Sequence, residues 1–540
     1  MTTRHSWVLC GLLVLACRGS DGDQVNRIES PSPTFAAAAL KIQCQPASRK
    51  AFEDGLFLLH NMMYVQARVK FEAAAQTDTS CSMLHWGVAM THFHPLWPGA
   101  PSPEALDAGA AATKRALESS ADSSRARDYA QAVAAYYQDS ASGDRKVRKL
   151  SWEQGQKKLA EQHPLDVDAQ ALYLLSRLAT ASKKDRTYAV NRDSGKRLEA
   201  LLKEHASHPG LIHYLLHAYD NPVLAKRAVP AAQSYEAAAP DAPHALHMPS
   251  HIYVRLGNWQ QTIRWNLRSA AAAEKQPLAD GSVSRHFLHA LDYVVYAYLQ
   301  VADDDKAMEW QARVDPKVRF ERKSGPGAYA MAASKARVAL ERRAWREAAS
   351  LTPRYTDYEW DDFPFADSML HAARGIGAAR TGKRALAQRS LKALAALAEK
   401  EKNEYWKARI GIQMQVLSAW IAHSRDDDAN AVALMTRAAT TELAGQKHPV
   451  EPGHVVSAAG HLGYLYLELG RHNDALETFE AALQRAPHRF NLVFGAGRAA
   501  ELGKRADKAK AYYAALIERS NSKSSRPQLK HATEYLAEAR

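Results

Sequence analysis

Two histidine-rich runs have a spacing that could do chemistry. H-P-G-L-I-H-Y-L-L-H-A-Y-D (His208 to Asp220) sets His213 and His217 four residues apart. H-A-L-H-M-P-S-H-I-Y-V-R-L-G-N-W (His244 to Trp259) sets His247 and His251 four apart, with His244 three before His247. On a helix, residues four apart share one face, one turn from each other. Two imidazoles so placed can both reach one metal ion. The Glu of an H-E-x-x-H metalloprotease is missing, so that peptidase chemistry is not indicated. Neutral imidazole nitrogen suits zinc or copper. His213, His217, His247 and His251 are therefore the candidate ligands of one or two ions. His208, His244, His286 and His289 form a second rank, and Asp220 or Asp292 would orient a ligating ring from behind. The same residues also fit a buried, hydrogen-bonded cluster without metal, and both readings stay open. His208, before Pro209-Gly210, and His244 also fit helix caps.

Other candidates carry less. His85, His92 and His94 sit in an aromatic corner with Trp86 and Trp97. His448, His454 and His461 precede the C-terminal repeats and could face a groove. Ser250 between His247 and His251 reads as a cap before it reads as a nucleophile. There is no Gly-rich phosphate loop, no G-x-S-x-G elbow and no Cys paired with His, so no catalytic residue is named and enzymatic activity is left undecided.

The elements that must position these rings are helices. The chain has 540 residues, too many for one compact core. It is rich in Ala, Leu, Arg, Lys and Glu and poor in strand-like runs, which points to an all-α fold. Near the C-terminus, Leu462, Gly463, Tyr466, Gly470, Ala475, Phe479, Ala482 and Pro487 match the tetratricopeptide (TPR) pattern, whose period is about 34 residues. Gly497, Ala509 and Tyr513 keep that phase. Gly55, Leu58, Ala67, Phe71 and Ala74 repeat it near the start. Ser102 caps a helix with Pro103 at its first position. The expectation is a TPR-like α-solenoid of antiparallel helix pairs. Its parts are N-terminal helices at 49–150, a central His-rich section at 151–330 and C-terminal repeats at 331–540. In such an array the first helices of successive pairs lie side by side on one wall. His213 and His217 fall on one first helix (about 209–219). His251 falls on the next, expected to begin at Pro249 with His244 and His247 on its approach. His286, His289 and Asp292 fall on a third.

The first seventeen residues read as a targeting segment. Arg4 and His5 precede an apolar run, Trp7 to Ala16, that is too short to span a bilayer. Val14 to Cys17, V-L-A-C, resembles a bacterial lipobox, which implies cleavage before Cys17, lipidation of its thiol and attachment to the cell envelope. Residues 18–48 then form a flexible tether. Beyond Cys10 and Cys17 only Cys44 and Cys81 remain, a pair suited to a disulfide in an oxidising compartment. Closing that loop would stabilise by about 4 kcal/mol in the chain-entropy picture. The formal net charge of +13 is spread along the helices without a basic block, so no nucleic-acid partner is expected.

Three segments resemble a family of exported bacterial TPR proteins: Gly55 to Ala74 with Cys81 to Met90, His208 to His217 (H-P-G-x-x-H-Y-x-x-H) and His247 to Gly257 (H-M-P-x-H-I-Y-x-R-L-G). The resemblance covers most of the mature chain expected after cleavage before Cys17. It implies the fold and assigns no activity. Two functions follow as expectations. One is a membrane-tethered scaffold whose concave groove takes a protein, peptide or glycan partner in the envelope. The other is a metal-binding protein or metalloenzyme built on the four leading histidines.

Overall fold

The computed structural model describes residues 40–538, except 41, 43, 98, 100, 139–143, 183, 239, 240, 279, 316 and 317. The targeting segment at 1–17, with Cys10 and Cys17, lies outside the described residues, as does most of the expected tether. The described chain is an all-α, TPR-like array of helix pairs. Neighbouring helices such as Pro46–His60 and Tyr64–Thr77, or Ala458–Glu468 and His472–Arg485, pack along their lengths across short loops. Among the described residues extended pairing is limited to one bridge, Val283 with Phe320.

The repeat pattern works through close approach around a wedged ring. Phe479 is fully buried, and a Cβ at Gly463 or Gly495 would come within 2.5 or 2.4 Å of it. Phe71 is held the same way between Gly55 and Gly87, at 2.5 and 2.7 Å. Two ends of the array therefore use one device: an aromatic ring seated between helix backbones at points where any side chain would clash. Ser102 caps the helix Pro103–Glu118, its hydroxyl accepting from the Ala105 amide at 3.2 Å. Cys44 and Cys81 are joined by a disulfide, with Cα atoms 5.3 Å apart.

Three helices frame the histidines: Pro209–Tyr219, Pro243–Leu256 and Arg285–Gln300. The middle one touches both of its neighbours. Its start differs from the sequence expectation. The helix begins at Pro243, and Pro249 lies inside it. A proline at an inner position forfeits one backbone hydrogen bond, and packing on every side here outweighs that loss. Residues 243 to 254 of this helix are all buried. The consequence is functional, because His244, His247 and His251 ride one continuous helix.

The segment linking Asp428–Ala444 to Ala458–Glu468 packs back onto this region. Tyr293 Oη donates to Pro449 O at 3.1 Å, Arg337 donates to Gly453 O at 2.7 Å, and Glu451 is buried. At this place the chain covers its own inner helices.

Candidate metal centre

The helix Pro209–Tyr219 starts on His208, whose Nδ1 accepts from the Leu211 amide at 3.3 Å, with Pro209 in the first turn. Gly210 follows because His60 presses on the backbone there: a Cβ would lie 2.4 Å from His60 Nδ1. The run L-I-H-Y-L-L-H-A-Y is apolar nearly all round, so the helix is enclosed, and His213 has no solvent exposure.

His213 Nδ1 donates to the backbone oxygen of His60 at 2.7 Å. A carbonyl only accepts, so the proton sits on Nδ1 and Nε2 keeps its lone pair. His217 Nε2 faces that lone pair at 3.1 Å. His244, from the next helix, completes a trio. Its ring centroid is 5.2 Å from that of His213 and 6.3 Å from that of His217, and its Nε2 is buried without a hydrogen-bond partner. One ligand nitrogen from each of the three lies within 4.8 Å of the others.

A second trio, His247, His251 and His289, meets the same 4.8 Å measure. His247 Nδ1 lies 2.6 Å from Asn266 Oδ1. The Asn266 amide nitrogen donates to Thr262 O at 2.7 Å, which turns its oxygen toward the ring and makes His247 Nδ1 the donor. His251 Nδ1 donates to the Asp220 carboxylate at 3.0 Å, and Arg255 Nε donates to the other Asp220 oxygen at 2.9 Å. Both Nδ1 protons are thus assigned, and both Nε2 atoms carry lone pairs. They face each other at 2.9 Å. His289 sets its ring, tilted, 4.3 Å from that of His247 and leaves Nδ1 buried without a partner. Tyr293 packs edge-on against His247 and His289.

Burial holds these rings neutral. It is the main cause in each case, with neighbouring imidazoles adding to it. His213 is lowered to about 3, and His217, His244, His247 and His289 lie well below the usual histidine range. His251 is lowered too, although Asp220 pulls the other way. Neutral imidazoles are the form that binds metals. His217 and His289, one from each trio, keep partial solvent contact.

A third group is chemically different. His60, Asp168 and His208 also lie close together. Here His60 Nε2 donates to Asp168 at 2.8 Å and His60 Nδ1 accepts from Tyr214 Oη at 2.9 Å. His208 Nε2 donates to the same carboxylate oxygen at 3.1 Å, and its Nδ1 takes the Leu211 amide. Every ring nitrogen is matched donor to acceptor, as in a structural network. Cys44, Asp78 and Cys81 are near one another as well, but the two sulfurs are bonded to each other.

The four leading histidines thus divide between two trios, each completed by a second-rank residue, His244 or His289. His208 belongs to the structural network. His286 stands beside the first trio, 5.9 Å from His244, without joining it. Asp220 does orient His251, whereas Asp292 lies elsewhere and pairs with Arg337 at 2.9 Å. Ser250 lies within the helix and donates to His247 O at 2.6 Å. His85 binds Thr79 O, His454 binds Glu451 and His461 accepts from Trp420, so none of these joins a trio. Sequence reasoning missed His60 and Asn266. Neither stands in a recognisable motif, and its partner is distant along the chain or on the neighbouring helix.

No protein-family model and no curated protein matches the chain. Among solved structures it is similar to one titled "Crystal structure of APC/C hetero-tetramer Cut9-Hcn1", at 14% identity over 90% of each chain, with a TM-score of 0.31.

Proposed function

We propose that this chain is a metal-binding helical-repeat protein in which each histidine trio holds one transition-metal ion, zinc or copper. The observation that carries this reading is the second trio. Two buried Nε2 lone pairs, on rings whose Nδ1 protons are already committed, face each other at 2.9 Å. In neutral rings that approach is repulsive. A proton would relieve it, but burial opposes the imidazolium. A metal ion accepting both lone pairs relieves it without that penalty. The supporting groups are those a metal site needs: a carbonyl behind His213, an amide behind His247 and a carboxylate behind His251.

The test is metal analysis of full-length protein produced without an affinity tag, with zinc and copper supplied. Two ions per chain are expected, falling by one in His217→Ala, by one in His251→Ala, and to none in the double variant. Metal content near zero in the parent protein ends this reading and leaves the histidines structural.

Helical-repeat arrays present long surfaces to other proteins, and a scaffold role for the outer faces is compatible with a metal centre inside. We also propose that the chain is exported and lipid-anchored at Cys17 in the cell envelope. The Cys17→Ser variant should then move from the membrane to the soluble fraction. An unchanged distribution contradicts the anchor.

A further inference from the structure

The two trios are not independent in space. His244 of the first and His247 of the second are three residues apart on one helix, neighbours on one face. His286 and His289 repeat that step on the adjoining helix, with His286 beside His244 and His289 beside His247. The trios therefore sit about one turn apart along parallel walls, a spacing of roughly 5 Å.

Charge then discriminates between metals. The six ligands are neutral imidazoles, and neither trio contains a carboxylate. The nearest one, Asp220, is engaged by Arg255 and by His251 Nδ1. Asp292 gives one oxygen to Arg337 and Glu451 is held by His454 and Tyr405, and neither carboxylate belongs to a trio. Two divalent ions here would repel with four times the charge product of two monovalent ions, with no anionic ligand between them. Among the metals that imidazole favours, copper alone is stable as a monovalent ion in such a site. Oxidation to the divalent state would then require an anion to arrive between the ions. Dioxygen supplies one.

Resting on the metal-binding reading above, we infer that the two trios form a single dinuclear copper centre that takes up dioxygen between its ions. The step balances. Each of two Cu(I) ions gives one electron, dioxygen accepts both, its O–O bond order falls from two to one, and a peroxide dianion bridges two Cu(II) ions. No proton is consumed. The added negative charge offsets the added positive charge on the metals. His217 and His289 are the part-exposed members of the two trios.

The experiment loads the full-length protein anaerobically with Cu(I), admits dioxygen, and follows oxygen uptake and the electron paramagnetic resonance signal. Two coppers per chain, one dioxygen consumed per two coppers, and a silent spectrum from two coupled Cu(II) ions are expected. His217→Ala and His289→Ala, changed at part-exposed positions so that the fold is kept, should each retain one copper, lose uptake and show a mononuclear Cu(II) signal on chemical oxidation. Two coppers giving two independent Cu(II) signals, with no uptake, overturn the dinuclear centre and leave the metal-binding reading in place. Stoichiometric zinc with no copper also overturns it. No metal of either kind removes both.

Discussion

His247 Nε2 and His251 Nε2 lie 2.9 Å apart, while Asn266 and Asp220 hold the opposite nitrogen of each ring. The His60–Asp168–His208 group shows what this chain builds when histidines are structural: every donor meets an acceptor. The contrast lies within one protein and rests on proton assignment alone. It separates a ligand set from a hydrogen-bonded core.

Asn266 is the most selective point at which to test that assignment. Asn266→Leu removes the acceptor of His247 Nδ1 in a fully buried place. The orphaned donor should lower stability by about 1–3 kcal/mol. Loss of the orienting group should weaken metal affinity at the second trio by about 10- to 100-fold. Competition titration with a chromophoric chelator reads the affinity. Equal affinity in parent and variant contradicts the role given to Asn266.

Gly210 addresses the first trio separately. In Gly210→Ala the new Cβ meets His60 Nδ1 at 2.4 Å, so His60 must move, and its carbonyl positions His213. A loss of about 1–3 kcal/mol is expected from overpacking. One ion of two should bind more weakly, with the other unchanged. A variant that melts and binds like the parent shows that His60 does not set His213.

Much of this was legible beforehand, and the misses have physical causes. The i, i+4 pairs at 213/217 and 247/251 and the cap at Ser102 follow from helix periodicity and local chemistry. The third ligand of each trio comes from a different helix than its pair, so spacing alone ranked His244 and His289 below the pairs. Pro249 looked like a helix start because local preference disfavours proline inside a helix, and burial of the whole element overrides that preference. His208 and Asp292 were drawn to partners at Asp168 and Arg337, far away in sequence, which no local pattern reveals.

Buried histidines also set the acid limit of the fold. His94 and His461 are lowered to about 3, chiefly by burial, with Arg285 adding at His94 and Arg343 at His461. In the unfolded chain histidine titrates near 6.5, so below that pH the unfolded state binds protons that the folded state refuses. Stability is unaffected above that value and falls as the pH drops toward 3, by at most about 1.4 kcal/mol per pH unit for each group. Urea midpoints of metal-free protein should decline between about pH 6.5 and about pH 5. A flat or rising midpoint across that window contradicts the assignment.

The Cys44–Cys81 disulfide closes a loop with a sequence separation of 37. In the chain-entropy picture its loss costs about 4 kcal/mol. The Cys44→Ser, Cys81→Ser double variant should unfold at lower denaturant with unchanged metal stoichiometry, because the loop supplies no ligand to either trio and meets the first only through the His60 carbonyl behind His213. A variant that loses metal in parallel links the disulfide to the centre.

The most direct measurement is anomalous diffraction from crystals of the metal-loaded full-length protein. Two anomalous peaks are predicted, one inside His213–His217–His244 and one inside His247–His251–His289, each about 2.0–2.1 Å from three imidazole nitrogens. Peaks at other residues, or none while the trios keep their present geometry, contradict the account.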